Sequence, residues 1–415
     1  MADPATSPPL SRASVMEARE LIKAFVHRTP TLTNTTLDRL ASSSSPLGEE
    51  GPEGEGEGEE ERRAKPRLRL YFKCENLQRA GAFKVRGAFH AIERLKREPG
   101  WEEGGGRESG VVTHSSGNHA QALALAARTN GIPAHVVMPT ISAAPKIAAT
   151  KGYGANVVFS GSTSVEREAV VARVAAETGA RLVPPYDHPD IVLGQGTLGL
   201  ELQEDAGAII AAAAGVEPPL SSPRGGDPPA ERGFRAPATV PALPARKRAD
   251  PRLDAILAPC GGGGMLSGVA LSCEGTGIRV FGCEPSFEGA DDAKRGYESG
   301  RRVEAVSTLT VADGLRTPLG RVPWDVIYEQ RRVSGFFSVG EDDIVAAMRL
   351  IYQRFKMVVE PSAAVPLAVA LFNEDFRRLA EREGGEDGWD VGIVLSGGNV
   401  SLEALGKLFA PAESR

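Results

Sequence analysis

The stretch Tyr71-Phe-Lys-Cys-Glu-Asn-Leu-Gln-Arg-Ala-Gly-Ala-Phe-Lys-Val-Arg-Gly-Ala88 decides how the chain folds. Residues 69–74 read as a short strand. A small-residue turn follows, and Lys84 opens a run to residue 97 with apolar residues at helical spacing. A strand that feeds a helix through a short turn is the repeating unit of an open α/β sheet. Lys84 lies beside Phe83, with Ala82, Val85 and Ala88 around it. By itself it would be an ordinary surface lysine. An apolar surround and the positive end of the helix both disfavour the ammonium form, and a desolvated lysine acts as a nucleophile or base near neutral pH.

The same unit recurs outward from this stretch. Strands are expected at 69–74, 110–113, 134–138, 155–159, 254–258, 278–283 and 391–395. Helices are expected at 84–97, 118–130, 143–151, 164–178, 194–206, 265–274, 341–355 and 361–372. An N-terminal helix over 13–28 should end at Pro30. Parallel sheets covered by helices result, and ligands then bind beyond the carboxyl ends of the strands.

Three further motifs occupy such ends. Ser115-Ser-Gly-Asn-His119 leads from a strand into a helix, where free amide groups bind anions and Ser115 and Ser116 add hydroxyl donors. Helix capping by serine or asparagine is the plainer explanation, and both can hold together. Gly261, Gly262, Gly263 and Gly264, followed by Met265, let the backbone wrap a phosphate. Neither dinucleotide nor P-loop spacing is present. Ser396-Gly-Gly-Asn399 reads alone as a tight turn. Taken together, an aldehyde-reactive lysine, a carboxylate cradle, a phosphate cradle and a ring-nitrogen partner form the inventory of a pyridoxal 5'-phosphate enzyme.

Bulk properties agree with a folded, water-soluble chain. It has 415 residues, 41% hydrophobic, with a net charge of -6. That charge argues against general nucleic-acid binding. No apolar run could span a bilayer, and the N-terminus does not resemble a signal peptide. The four cysteines lack metal or redox spacing and read as reduced thiols of a cytoplasmic protein. Residues 42–66 (serine, then Gly/Glu) and 214–250 (Pro, Gly, Arg, Ala) read as disordered surface insertions. Glu284-Pro-Ser-Phe-Glu-Gly-Ala-Asp-Asp292 contains carboxylates that could bind Mg²⁺ or Ca²⁺, although a solvated acidic loop is the plainer reading. His27, His90, His114, His135 and His188 show no ligand spacing.

The motifs together resemble the fold-type II pyridoxal phosphate enzymes, in particular the group of serine/threonine dehydratases and eukaryotic serine racemases. The resemblance runs over about residues 15–410, apart from the two insertions. It implies a tryptophan synthase β-like α/β fold of two open, twisted parallel-sheet lobes with the cofactor between them. The small lobe would span 110–187, and the large lobe 1–109 and 188–415. By motif, Lys84 resembles the Schiff-base lysine and Ser116 the acid/base on the opposite face of the cofactor. Phe83 would flank the cofactor and Asn118 would bond its ring hydroxyl. Gly261 to Gly264 and Met265 would hold the phosphate, Glu360 would lie near the ring, and Ser396 would face the ring nitrogen. Ser115, Ser116, His119, Arg167 and Thr317 resemble substrate contacts. Glu284, Ala290 and Asp292 resemble a divalent-cation site, with two extra residues in its loop. Ala82 stands where serine is commoner. A homodimer and a nucleotide effector are further expectations of the resemblance.

The implied chemistry is Cα deprotonation of a β-hydroxy amino acid, giving D-serine or a 2-oxo acid plus ammonia. Serine, threonine and 3-hydroxyaspartate remain open as substrates. β-Replacement, as in cysteine synthases, and a non-catalytic paralogue are the alternatives.

Overall fold

The computed structural model describes residues 4–47, 62–115, 117–142, 144–161, 163–215 and 250–410. The greater part of both expected insertions (48–61 and 216–249) lies outside the described residues, as does Ser116.

Among the described residues ten strands form two sheets. They are β1 (Thr31–Thr33), β2 (Leu68–Cys74), β3 (Val111–His114), β4 (Ala134–Pro139), β5 (Asn156–Ser160), β6 (Arg181–Leu182), β7 (Ala255–Pro259), β8 (Arg279–Pro285), β9 (Gly335–Val339) and β10 (Trp389–Leu395). One sheet has four strands in the order β5-β4-β3-β6, all parallel. The other has six in the order β1-β2-β10-β7-β8-β9, parallel except for the edge strand β1. All seven residues of β2 and all seven of β10 are buried. Parallel strands covered on both faces need such continuous runs.

Fifteen α-helical segments occur among the described residues. Before the glycine loop come α1 (Arg12–Ile22), α2 (Thr35–Ala41), α3 (Lys84–Leu95), α4 (Gly106–Ser109), α5 (Asn118–Thr129), α6 (Ala144–Gly152), α7 (Ser164–Thr178) and α8 (Pro189–Ala213). Beyond it come α9 (Gly264–Ser272), α10 (Asp292–Ser299), α11 (Arg321–Trp324), α12 (Glu341–Leu350), α13 (Pro361–Phe372), α14 (Glu374–Gly384) and α15 (Leu402–Phe409).

Three buried cations of the core are paired with carboxylates. Arg69 of β2 meets Asp390 of β10 at 2.7 Å, and Tyr71 donates to the same carboxylate. Lys73 meets Glu201 at 2.7 Å. Arg86, fully buried, bridges Glu75 and Glu201 at 2.8 Å each.

Several expectations need correction. The first helix ends at Ile22, well before Pro30. Phe25 leaves the helical path to stack on Phe89, with ring centroids 5.1 Å apart. The helix expected at 194–206 runs from Pro189 to Ala213. Its glycines, which suggest breaks in the sequence, are contact points. A Cβ on Gly194 would fall 2.7 Å from Gly87 Cα, and one on Gly196 would fall 2.5 Å from the Gly268 carbonyl. Helices α3 and α9 can thus approach α8 closely. The helix expected over 341–355 is α-helical to Leu350 and continues as a π-turn over Ile351–Phe355. Lys356 at φ 61° stops it. Strands β1, β6 and β9 and helices α2, α4, α10, α11, α14 and α15 were not expected. They are short or amphipathic, and their periodicity is weak in isolation.

Candidate active site

A cavity of about 550 Å³ lies between the two sheets, beyond the carboxyl ends of their strands. Lys84, Ser115, Asn118, His119, Arg167, the Gly261–Gly264 loop, Met265, Thr317, Glu360 and Ser396 all line it. Four motifs far apart in sequence therefore share one space.

Lys84 is the first residue of α3, with Phe83 at its N-cap position. Its Nζ donates to the Pro185 carbonyl at 2.7 Å and lies 5.1 Å from the centre of the Phe83 ring. Loss of hydration pulls its pKa down to about 8, only partly offset by the Glu360 carboxylate.

The turn carrying Lys84 is tied to the end of β10. Phe83 N donates to the Ser396 carbonyl at 3.1 Å, and Gly398 N to the Gly81 carbonyl at 2.9 Å. Asn399 Nδ2 reaches the Ala80 carbonyl and Asn118 Oδ1, each at 2.8 Å. Asn118 Nδ2 in turn donates to both Glu360 oxygens, at 2.8 and 3.1 Å. Glu360 is nonetheless pushed up to about 7, first by burial and then by Asp313. Asn118 thus lines the cavity while bound on both sides by protein.

At the start of α5, Ser115 Oγ accepts from the Gly117 amide at 3.3 Å. Gly117 occupies the N-cap, without a side-chain bond. Among the described residues the amides of Asn118 and His119 meet no acceptor, which leaves them open to an anion. His119 departs from expectation. Its Nε2 faces the Val183 carbonyl at 3.1 Å, so Nε2 carries the hydrogen. Burial drives its pKa down to about 3, and Nδ1 is buried without a donor. A neutral ring with an accepting Nδ1 offers a carboxylate no donor.

The glycine loop fits a phosphate. Among the described residues the amides of Gly261, Gly262, Gly263 and Gly264 meet no protein acceptor, and the nine-residue α9 starts there. Gly263 is at φ 81°. A Cβ on Gly262 would land 2.3 Å from the Tyr186 ring. These amides, with the desolvated Lys84, match the phosphate and aldehyde ends of the cofactor.

Glu284 and Asp292 do not form a solvated loop. Both are buried. Glu284 accepts from the amides of Ala293 and Lys294 at 3.1 and 2.7 Å, holding the start of α10. Asp292 Oδ2 accepts from Leu319 N at 3.1 Å, and Oδ1 is buried without a partner. Burial raises Glu284 well above the carboxylate range and Asp292 to about 6. Ala290 is buried beside them. No group of three or more His, Cys, Asp or Glu side chains suited to a metal occurs among the described residues. All four cysteines are buried thiols. No helix among the described residues is long and apolar enough to cross a membrane.

Sequence reasoning missed Pro185, Tyr186, Lys146 and Arg302, all of which line the cavity. Lys146 of α6 meets Asp313 at 2.6 Å and joins the two sheet units across the cavity. Its position after β4 was the available signal. Pro185 acts through its carbonyl, which no residue type advertises.

The comparisons agree with this architecture. A family model described as "Pyridoxal-phosphate dependent enzyme" matches residues 60–216 and 240–397, and the chain belongs to that family. Serine racemase of Oryza sativa is 35% identical over 394 residues, covering 94% of this chain and 91% of that protein. L-threo-3-hydroxyaspartate ammonia-lyase of Saccharomyces cerevisiae is 34% identical over 403 residues, covering 96% of each. The solved structure of maize serine racemase superposes with a TM-score of 0.73 at 34% identity, covering 96% of each chain. The chain is thus a pyridoxal phosphate enzyme of the serine racemase and ammonia-lyase group, acting on a small amino acid.

Proposed function

We propose that the chain removes the Cα proton of a β-hydroxy amino acid such as L-serine or L-threonine, giving D-serine, or a 2-oxo acid plus ammonia. The observation that carries this reading is Lys84, with its pKa lowered to about 8, at the wall of a cavity shared with the serine loop, the glycine loop and Ser396.

When bound, pyridoxal phosphate supplies the electron sink that makes Cα–H acidic. Lys84 would hold the cofactor's aldehyde end, and its neutral amine would serve as the base for the Cα proton. The Pro185 carbonyl holds that amine in place. The amides of Gly261–Gly264 receive the phosphate, with Met265 and Phe83 flanking the cofactor. Ser115 and the first amides of α5 receive the substrate carboxylate with Arg167, while Thr317 lines the substrate side. Ser396 would meet the ring nitrogen with a neutral hydroxyl rather than a carboxylate. With such a partner the cofactor would be a weaker electron sink, which would favour loss of the β-hydroxyl together with the Cα proton. Ser116, outside the described residues, is the acid/base of the opposite face. Racemisation needs it and elimination does not.

Mg²⁺ or Ca²⁺ at Glu284, the Ala290 carbonyl and Asp292 belongs to the same reading, supported by the buried acceptor Asp292 Oδ1. A cation would hold both acids ionised, so a chelator should lower Tm. The homodimer, the nucleotide effector and the lobe boundaries at 110–187 rest on the resemblance, and the cytoplasmic location rests on the cysteine usage.

Chiral product analysis with L-serine, L-threonine and L-threo-3-hydroxyaspartate tests the reading, with Lys84→Ala as control. D-serine with pyruvate marks a racemase with elimination, and pyruvate alone marks a dehydratase. Neither product from cofactor-loaded protein sinks the reading and favours β-replacement.

A further inference from the structure

Resting on the reading above, we infer that the chain racemises its substrate, and that His114 holds the proton exchanged on the face opposite Lys84. Racemisation needs an acid/base on each face of Cα. The cavity draws one candidate from each sheet. Lys84 opens α3, which follows β2 of the six-stranded sheet. His114 is the last residue of β3 in the four-stranded sheet. Both line the cavity. The histidines differ in what holds their rings. His119, the other histidine of the cavity wall, faces the Val183 carbonyl through Nε2. His90 Nδ1 lies 2.6 Å from the Asp190 carbonyl, and His188 Nδ1 accepts from the Asp190 amide at 3.1 Å. The His114 ring makes no hydrogen bond among the described residues and is only partly buried.

A serine hydroxyl is a poor base unless a neighbouring group takes its proton. Ser116 stands two residues after His114 in the sequence. The charged and titratable groups around the imidazole are Arg167 and Glu168 of α7 and His119 of α5, while β4 brings Val137 beside it. Burial first, and then Arg167, holds the ring below its ordinary 6.5, against the opposing pull of Glu168. The imidazole is therefore neutral near pH 7 and able to accept a proton, and its conjugate acid gives that proton back readily. In the D-to-L direction the Cα–H bond breaks on this face. Its proton goes to the Ser116 oxygen as the Ser116 proton moves to the ring, and the Lys84 ammonium protonates Cα from the other side. The L-to-D direction reverses each transfer. One proton leaves Cα and one arrives, so no oxidant or reductant is needed.

The test measures initial rates of D-serine and pyruvate formation from L-serine across pH, with the cofactor-loaded wild type, His114→Ala and His114→Gln. Both variants should lower the ratio of D-serine to pyruvate on the order of 100-fold. Added imidazole should restore D-serine formation in His114→Ala. Wild-type D-serine formation should fall as pH drops through a value below 6.5, where Lys84 and His114 are both protonated and neither face has a base. The residual activity of the variants should lack that limb and follow Lys84, near 8. Histidine NMR of the apoprotein is a second readout, in which the resonance lost in His114→Gln should titrate below 6.5. An equal loss of both products without imidazole rescue, an unchanged ratio, or a His114 resonance that titrates above 6.5 or not at all overturns the inference. A wild type that makes pyruvate without D-serine also overturns it, and leaves the reading above standing. A wild type that makes neither product overturns that reading, and this inference with it.

Discussion

Lys84 and Glu360 are the two residues whose ionisation the cavity changes most usefully. Lys84 has a pKa near 8, so its reactive neutral amine grows with pH up to that value and then levels off. Covalent capture of pyridoxal phosphate by the apoprotein, followed by visible absorbance, should accelerate about tenfold from pH 6 to 7 and plateau above pH 9. A flat profile would contradict the desolvated amine. Glu360 is shifted in the opposite sense for an acid, up to about 7. A raised carboxyl pKa favours the folded state when protonated. That contribution is full below the ordinary 4.5 and is lost as pH rises through about 7. Glu360→Gln removes the ionisation. Its apoprotein should therefore gain on the wild type between pH 5 and 8, by roughly 1–3 kcal/mol at the upper end. Paired Tm measurements check this, and a gap that does not widen with pH would refute it.

At the scale of elements, the glycines of the helices have unequal meaning. Gly196 in the middle of α8 faces the Gly268 carbonyl, and an added Cβ has no room. Gly196→Ala should cost about 2–4 kcal/mol by forcing α8 and α9 apart. Gly406 of α15 has nothing within 4 Å of its virtual Cβ. Gly406→Ala should leave Tm unchanged or raise it, by up to about 1 kcal/mol of stability. Equal effects from the two would remove the case for helix contact. The same distinction explains what the sequence could reveal. Strands β7 and β10 were legible because burial on both faces leaves the apolar runs Ala255–Pro259 and Val391–Leu395. Helix α8 was legible only in its middle, since its glycines look alike whether they break a helix or let another approach. The glycine loop, Lys84 and Ser396 were visible because a turn at a strand end has few plausible roles. His119 was misjudged because the Val183 carbonyl that fixes its tautomer comes from a distant segment. Tyr186 was missed for a similar reason, as its importance lies in covering Gly262.

Over the whole molecule, the contact to disturb is Lys146–Asp313, which joins the two sheet units across the cavity. The partners are 33% and 42% exposed, so the pair should add no more than about 1 kcal/mol to stability. Its effect belongs to how the cavity closes. Lys146→Asp should raise KM several-fold with little change in Tm, and adding Asp313→Lys should restore it. Failure of the double exchange to recover KM would assign Lys146 another role.

The six-stranded sheet also imposes a schedule. Strand β10 lies between β2 and β7, and Arg69 of β2 waits for Asp390, 321 residues later in the chain. At roughly 5–20 residues per second of synthesis, that is an interval of about 15–60 s. Until β10 emerges, β2 and β7 each lack a neighbour, and Arg69 lacks its counterion. The four strands β3 to β6 need no later segment to pair with one another. A ribosome-bound nascent chain should therefore acquire protease resistance first over about residues 111–182, long before the sheet that completes the catalytic cavity can close.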